Sequence, residues 1–105
     1  KIYLEKEGLQ SLDQNYLCKM GEIDLVMKEG DYIVFVEVRF RDNENYTAAL
    51  ESITPSKQNK VIKAATYFLL ENNLYNKVDC RFDVVVMDNL EIHWIKNAFS
   101  VEAYS

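Results

Sequence analysis

The chain has 105 residues, of which 49% are apolar, 28% charged and 12% aromatic, with only three glycines and one proline. That is the composition of one globular domain over residues 1–105, and it excludes collagen-like, linker-rich and low-complexity chains. The longest wholly apolar run, Tyr32-Ile33-Val34-Phe35-Val36, falls far short of the roughly 18 residues of a membrane-spanning helix, and no membrane partner is expected. Twelve Lys/Arg against 17 Asp/Glu give a net charge of −5, which argues against tight non-specific duplex binding but leaves room for a local basic face. Cys18 and Cys80 lack CxxC spacing and no apolar signal segment precedes them. A reduced, cytoplasmic protein with both thiols used as small packing groups is the simplest reading.

In chain order, residues 1–7 read as the last turns of a helix stopped by Gly8. Residues 9–16 are weakly patterned and suggest a short edge strand plus loop. Over residues 22–27 the chain alternates, with Ile23, Leu25 and Met27 on one face and Glu22, Asp24 and Val26 on the other, which predicts a strand. Lys28-Glu29-Gly30-Asp31 makes a turn, and residues 32–40, rich in β-branched and aromatic side chains, complete an antiparallel hairpin. Residues 41–51 are polar and unpatterned, a loop long enough to touch a ligand. Thr54 is a good N-cap and Pro55 suits the first helical position. Val61, Ile62, Ala65, Phe68 and Leu69 then recur at helical spacing until Asn72-Asn73. Residues 80–87 predict a strand, Asp88-Asn89 a turn and residues 90–95 a last strand. The order β-β-α-β-β behind a leading helix implies an α/β (α+β) domain, a mixed sheet covered by helices.

The second strand carries the anomaly. Its apolar stretch belongs to a strand covered on both faces, yet Glu37 and Arg39 follow on the face of Ile33 and Phe35. Whether Glu22 or Asp24 faces Glu37 in the hairpin, Asp24 comes close to Glu37. Two carboxylates held together out of water need a cation. Residue types leave two accounts open: a structural ion pair with Arg39, or a divalent ion, for which oxygen-only ligands suit Mg²⁺ or Mn²⁺.

Five ordered blocks of the chain resemble the bacterial YraN family: Gly21-Glu22-Ile23-Asp24-Leu25-Val26; Val34-Phe35-Val36-Glu37-Val38-Arg39; Ser52-Ile53-Thr54 with Lys57; Cys80-Arg81-Phe82-Asp83-Val84-Val85; and Trp94-Ile95-Lys96-Asn97-Ala98-Phe99. That family is similar to Holliday-junction resolvases, within the restriction-endonuclease-like PD-(D/E)xK superfamily. The resemblance implies a mixed sheet flanked by helices and a nuclease site in which Asp24, Glu37 and the Val38 carbonyl hold Mg²⁺ or Mn²⁺. Glu22 would assist as an auxiliary ligand, and Arg39 would stand where the superfamily has lysine. It also implies that the family's N-terminal helix is largely absent here, only its tail remaining over residues 1–7.

On the predicted helix, Lys57, Lys60 and Lys63 form a row continued by Tyr67, either a solvated face or a phosphate contact. Gln58 falls within the apolar stripe and should face the sheet, near enough to serve the acids or simply to make a buried hydrogen bond. Arg41 lies one alternation beyond Arg39, where a phosphate could meet it, and Tyr46 could stack on a base. Asp83 interrupts an apolar strand, most simply through a pair with Arg81. The lone His93 has no partner cluster for a metal site. The expected function is phosphodiester hydrolysis in nucleic acid, DNA before RNA, by a homodimer if the substrate is two-fold symmetric branched DNA. The alternative is a non-catalytic nucleic-acid-binding or assembly module on the same fold.

Overall fold

The structure is a computed structural model that describes residues 1–40, 51–88 and 91–100. Arg41, Tyr46 and the rest of residues 41–50, all but the last residue of the loop expected over 41–51, lie outside them. Among the described residues the elements are α1 (Ile2–Lys6), β1 (Gln10–Cys18), β2 (Gly21–Glu29), β3 (Tyr32–Phe40), α2 (Pro55–Glu71), β4 (Asp79–Met87) and β5 (Ile92–Phe99). The strands form one sheet in chain order. β3 and β4 run parallel while the other neighbours are antiparallel. A parallel pair needs a crossover, and α2 lies between these two strands in the chain. This is the expected α+β architecture, a mixed sheet with a helix packed on it, compatible with a restriction-endonuclease-like fold. No helix among the described residues is long and apolar enough to cross a membrane.

The central strand β3 is buried on both faces, as its unbroken apolar run requires. Ile33 and Phe35 join Val61, Ala64, Ala65, Phe68 and Leu69 of α2 in one cluster. Val34 and Val36 join Leu4 and Leu9 in the other, beside α1. α2 begins where its cap predicts: the Thr54 hydroxyl accepts the Lys57 N–H at 3.3 Å with Pro55 in the first turn. The Tyr16 hydroxyl donates to Glu71 and ties edge strand β1 to the last turn of α2. Cys18 and Cys80 are half-buried against the α2-side cluster.

Gly21 sets how closely α2 approaches β2. A Cβ at that position would lie 3.1 Å from the Lys60 carbonyl oxygen, so any side chain here would have to push the helix backbone back, and glycine lets it rest close to the strand. Gly30, at φ +58°, makes the β2–β3 turn.

Three details depart from the sequence reading. β1 is a full nine-residue strand, because a register shift between Ser11 and Asp13 and a left-handed Asn15 hide its alternation. Ile23 packs with Val26 under α2 instead of with Leu25 and Met27, so the alternation of β2 slips at Asp24. β5 begins at Ile92, after a turn closed by Asp88 and Glu91, and runs on to Phe99.

Asp83 explains the irregularity in the β4–β5 ladder. It is fully buried, and its carboxylate accepts bonds from Arg81 Nε (3.0 Å), Trp94 Nε1 (2.9 Å) and the Asn97 N–H (2.9 Å), where β5 shifts register and Asn97 turns left-handed. Burial opposes the Arg81 charge, but its bonds to Asp83 and Glu29 outweigh that and raise its pKa. The pairing with Arg81 is the one expected. Replacing Asp83 by Ala leaves Arg81 Nε, an indole N–H and a main-chain N–H without their acceptor, Arg81 keeping its bond to Glu29 through Nη1. We expect Asp83→Ala to cost about 3–5 kcal/mol in denaturant unfolding, and a loss below about 1 kcal/mol would contradict this role.

Candidate functional site

The β2–β3 ladder runs from Glu29↔Tyr32 to Leu25↔Val36 and stops there. The next pair would be Asp24 and Glu37. At that point the strands fork: β3 continues its parallel pairing with β4 to Phe40↔Met87, while β2 stays with β1 to Cys18↔Gly21. Side chains take over the main-chain groups that the fork exposes. The Asp24 N–H donates to Glu37 Oε2 at 3.2 Å, and the Val38 N–H donates to Asp24 Oδ2 at 2.8 Å. Each acid thus accepts from the opposite strand, which satisfies two buried N–H groups and holds the two carboxylates across the opening. Of the two registers the sequence allows, the chain adopts the one in which Asp24 faces Glu37.

Arg39, two residues beyond Glu37, completes the group. Its Nη1 donates to the Val38 carbonyl at 3.0 Å and lies 3.9 Å from Asp24 Oδ2, and its Nη2 lies 3.8 Å from Glu37 Oε1. Glu37 is 6% exposed. Burial, with the Asp24 carboxylate next and Glu22 adding to it, pushes its pKa up to about 7 from 4.5, against the pull of the Asp24 N–H and Arg39.

The remaining expected residues take these places. Glu22 is exposed at the start of β2, its charge felt at Glu37. Gln58 is half-buried in the first turn of α2 and donates to the Ile53 carbonyl at 3.1 Å, so it at least braces the entry to the helix. Lys57 and Lys60 are exposed on the same helix, and the Lys60 backbone abuts Gly21, which precedes Glu22. Arg41 lies outside the described residues. A cavity of about 940 Å³ opens on the α1 side, with Leu4, Leu25, Val38, Phe40 and Val85 in its walls and Asp24 among them. Sequence reasoning did not anticipate the forked ladder or the bond from Arg39 to the Val38 carbonyl. The one available signal was a carboxylate facing another at the end of an apolar pair of strands.

The fork offers two carboxylates and one main-chain carbonyl, all oxygen donors. Asp24 Oδ1 accepts no hydrogen bond among the described residues. No cluster of three or more His, Cys, Asp or Glu side chains forms among them either, so the set resembles neither a zinc centre nor a calcium cage. It fits Mg²⁺ or Mn²⁺, which bind through one or two carboxylates and retain water.

Comparison with known proteins matches residues 1–87 to the sequence model of the uncharacterised protein family UPF0102. A UPF0102 protein of Legionella pneumophila is 48% identical over 99 residues, covering 92% of this chain and 84% of that protein. One from Vibrio parahaemolyticus is 45% identical over 102 residues, covering 95% and 84%. One from Lachnoclostridium phytofermentans is 50% identical over 97 residues, covering 92% and 82%.

The raised pKa of Glu37 has a consequence for folding. The unfolded chain loses this proton near 4.5 and the folded one near 7, so between those values the folded state binds more protons and stability falls as pH rises. The fall is on the order of 3 kcal/mol and is complete above about pH 7. Glu37→Gln removes the titration. It should be more stable than the parent at about pH 8, the gain vanishing as pH drops toward 4.5, in metal-free urea unfolding across pH. If Glu37 and Arg39 form a stabilising structural pair, the same change will instead weaken the fold at about pH 8.

Proposed function

The chain belongs to the uncharacterised protein family UPF0102, and we propose that it is a divalent-metal-dependent nuclease that hydrolyses phosphodiester bonds in DNA. The observation that carries this reading is the fork, where Asp24, Glu37 and the Val38 carbonyl converge beside one guanidinium. These three would hold Mg²⁺ or Mn²⁺. The bound ion would polarise a phosphoryl oxygen and bring a water within reach of deprotonation at neutral pH.

The chain's own groups do the rest. Asp24 and Glu37 are pre-positioned by bonds to main-chain N–H groups, so little ordering is left for the moment of reaction. Arg39 presents a guanidinium, which is no base for water. Its task is to stabilise negative charge that develops on the phosphoryl oxygens. Glu22 adds negative charge beside Glu37 and strengthens the pull on a cation. Lys57 and Lys60 lie on the helix whose backbone touches Gly21, which continues the site into a basic face for the nucleic-acid backbone. A chain of net charge −5 binds through such a face rather than through bulk attraction. A homodimer would match two-fold symmetric branched DNA, and the unpaired thiols Cys18 and Cys80 suit a reducing, cytoplasmic setting.

A second reading is favoured by the bond from Arg39 to the Val38 carbonyl: a nucleic-acid-binding module on the same fold in which the guanidinium permanently holds the cation position. Hydrolysis separates the two. With labelled branched, single-stranded and duplex DNA and Mg²⁺ or Mn²⁺, cleavage by the parent that Asp24→Asn and Glu37→Gln each lower on the order of a thousandfold supports the nuclease. Binding without cleavage by the parent across all substrates and both metals supports the module. In either case Lys57→Glu with Lys60→Glu should weaken DNA binding about equally across sequences and reduce the slope of log affinity against log salt by roughly two, read by fluorescence anisotropy.

A further inference from the structure

We propose that Arg39 is the resident counter-cation of the site, and that it and a divalent metal ion are alternative occupants of the same oxygen cluster. The inference rests on the proposed metal-dependent reading and adds to it the order of events at the site.

The Val38 carbonyl is one of the three groups whose oxygens could hold a metal, and it accepts from Arg39 Nη1 at 3.0 Å. The same guanidinium stands 3.9 Å from Asp24 Oδ2 and 3.8 Å from Glu37 Oε1. Both distances exceed the roughly 2.7–2.9 Å of a charge-assisted hydrogen bond. Arg39 therefore offsets the repulsion between the two acids while, among the described residues, one hydrogen bond anchors it in the group. Its side chain is 22% exposed, and past the fork β2 no longer pairs with β3 beside it, so the guanidinium has a route outward. A second, doubly positive charge a few ångströms away repels it, so an ion held by the carboxylates and the Val38 carbonyl weakens the hold of Arg39 on the same oxygens.

Two consequences follow. With Arg39 in place, the charges of the two acids are offset by a residue of their own site. Occupation of the carboxylates releases Arg39 on the same strand face, where a phosphodiester can take it up. An anionic phosphate that binds the released guanidinium favours the metal-bound arrangement, and by linkage the metal favours the phosphate.

The test is calorimetric titration of Mn²⁺ into the full chain, Arg39→Met and Arg39→Gln at about pH 8.5, where Glu37, with its pKa of about 7, is ionised. Thermal unfolding with and without Mn²⁺ serves as a second readout on the same samples. If Arg39 competes with the ion, both variants bind Mn²⁺ at least about tenfold more tightly than the parent, and Mn²⁺ raises their melting temperatures more. Equal or weaker binding by both folded variants, with the parent binding, overturns the competition and leaves the metal site standing. Absence of binding in all three proteins overturns the metal-dependent reading itself and the competition with it.

Discussion

Two carboxylates face each other across a strand pair that has opened to receive them, and the geometry around the site follows from that one constraint. Asp24 and Glu37 repel, yet each is held by an N–H of the opposite strand, so the fork is both the cause of their closeness and its consequence. β2 leaves β3 at Leu25↔Val36 but stays paired with β1, and β3 stays paired with β4. Gly21 lets the backbone of α2 rest against the departing strand, which sets the helix beside the acids. Arg39 then places a positive charge beside the buried Glu37 and the half-buried Asp24.

The chain contains a control for this interpretation in Asp83. Both Asp83 and Glu37 are buried acids on neighbouring central strands. Asp83 is surrounded by donors, from Arg81, Trp94 and Asn97, and its oxygens are committed. Among the described residues Glu37 has one main-chain donor and a guanidinium beyond hydrogen-bond reach, and burial with the Asp24 charge beside it raises its pKa. A satisfied buried acid reads as structure. An under-satisfied one next to a second acid, in an opening lined by oxygen atoms, reads as a place for a ligand.

Much of this was legible in the sequence, for identifiable reasons. Thr54-Pro55 and the helical spacing that follows set the start of α2, because cap chemistry is local. The apolar run before Glu37 announced a strand buried on both sides, and either register of the hairpin brought Asp24 to Glu37. Irregularity was harder to read. Asn15 and Asn97 in the left-handed region, the register shifts opposite Asp13 and Asp83, and the slip at Asp24 each break a period of two. Pattern reasoning consequently put Ile23 on the wrong face and shortened β1. The bond from Arg39 to the Val38 carbonyl was invisible because residue types record no main-chain acceptor. Family membership adds no activity, since the relatives named above carry only the family designation, and the fork alone supports catalysis.

The most direct test of that argument is where a divalent ion sits. Crystals of the full chain soaked in Mn²⁺ should give an anomalous difference peak at coordination distance from Asp24, Glu37 and the Val38 carbonyl, with the Arg39 guanidinium moved off that carbonyl. A fully soaked crystal with no peak at the fork, and Arg39 still bonded to Val38, would contradict the account.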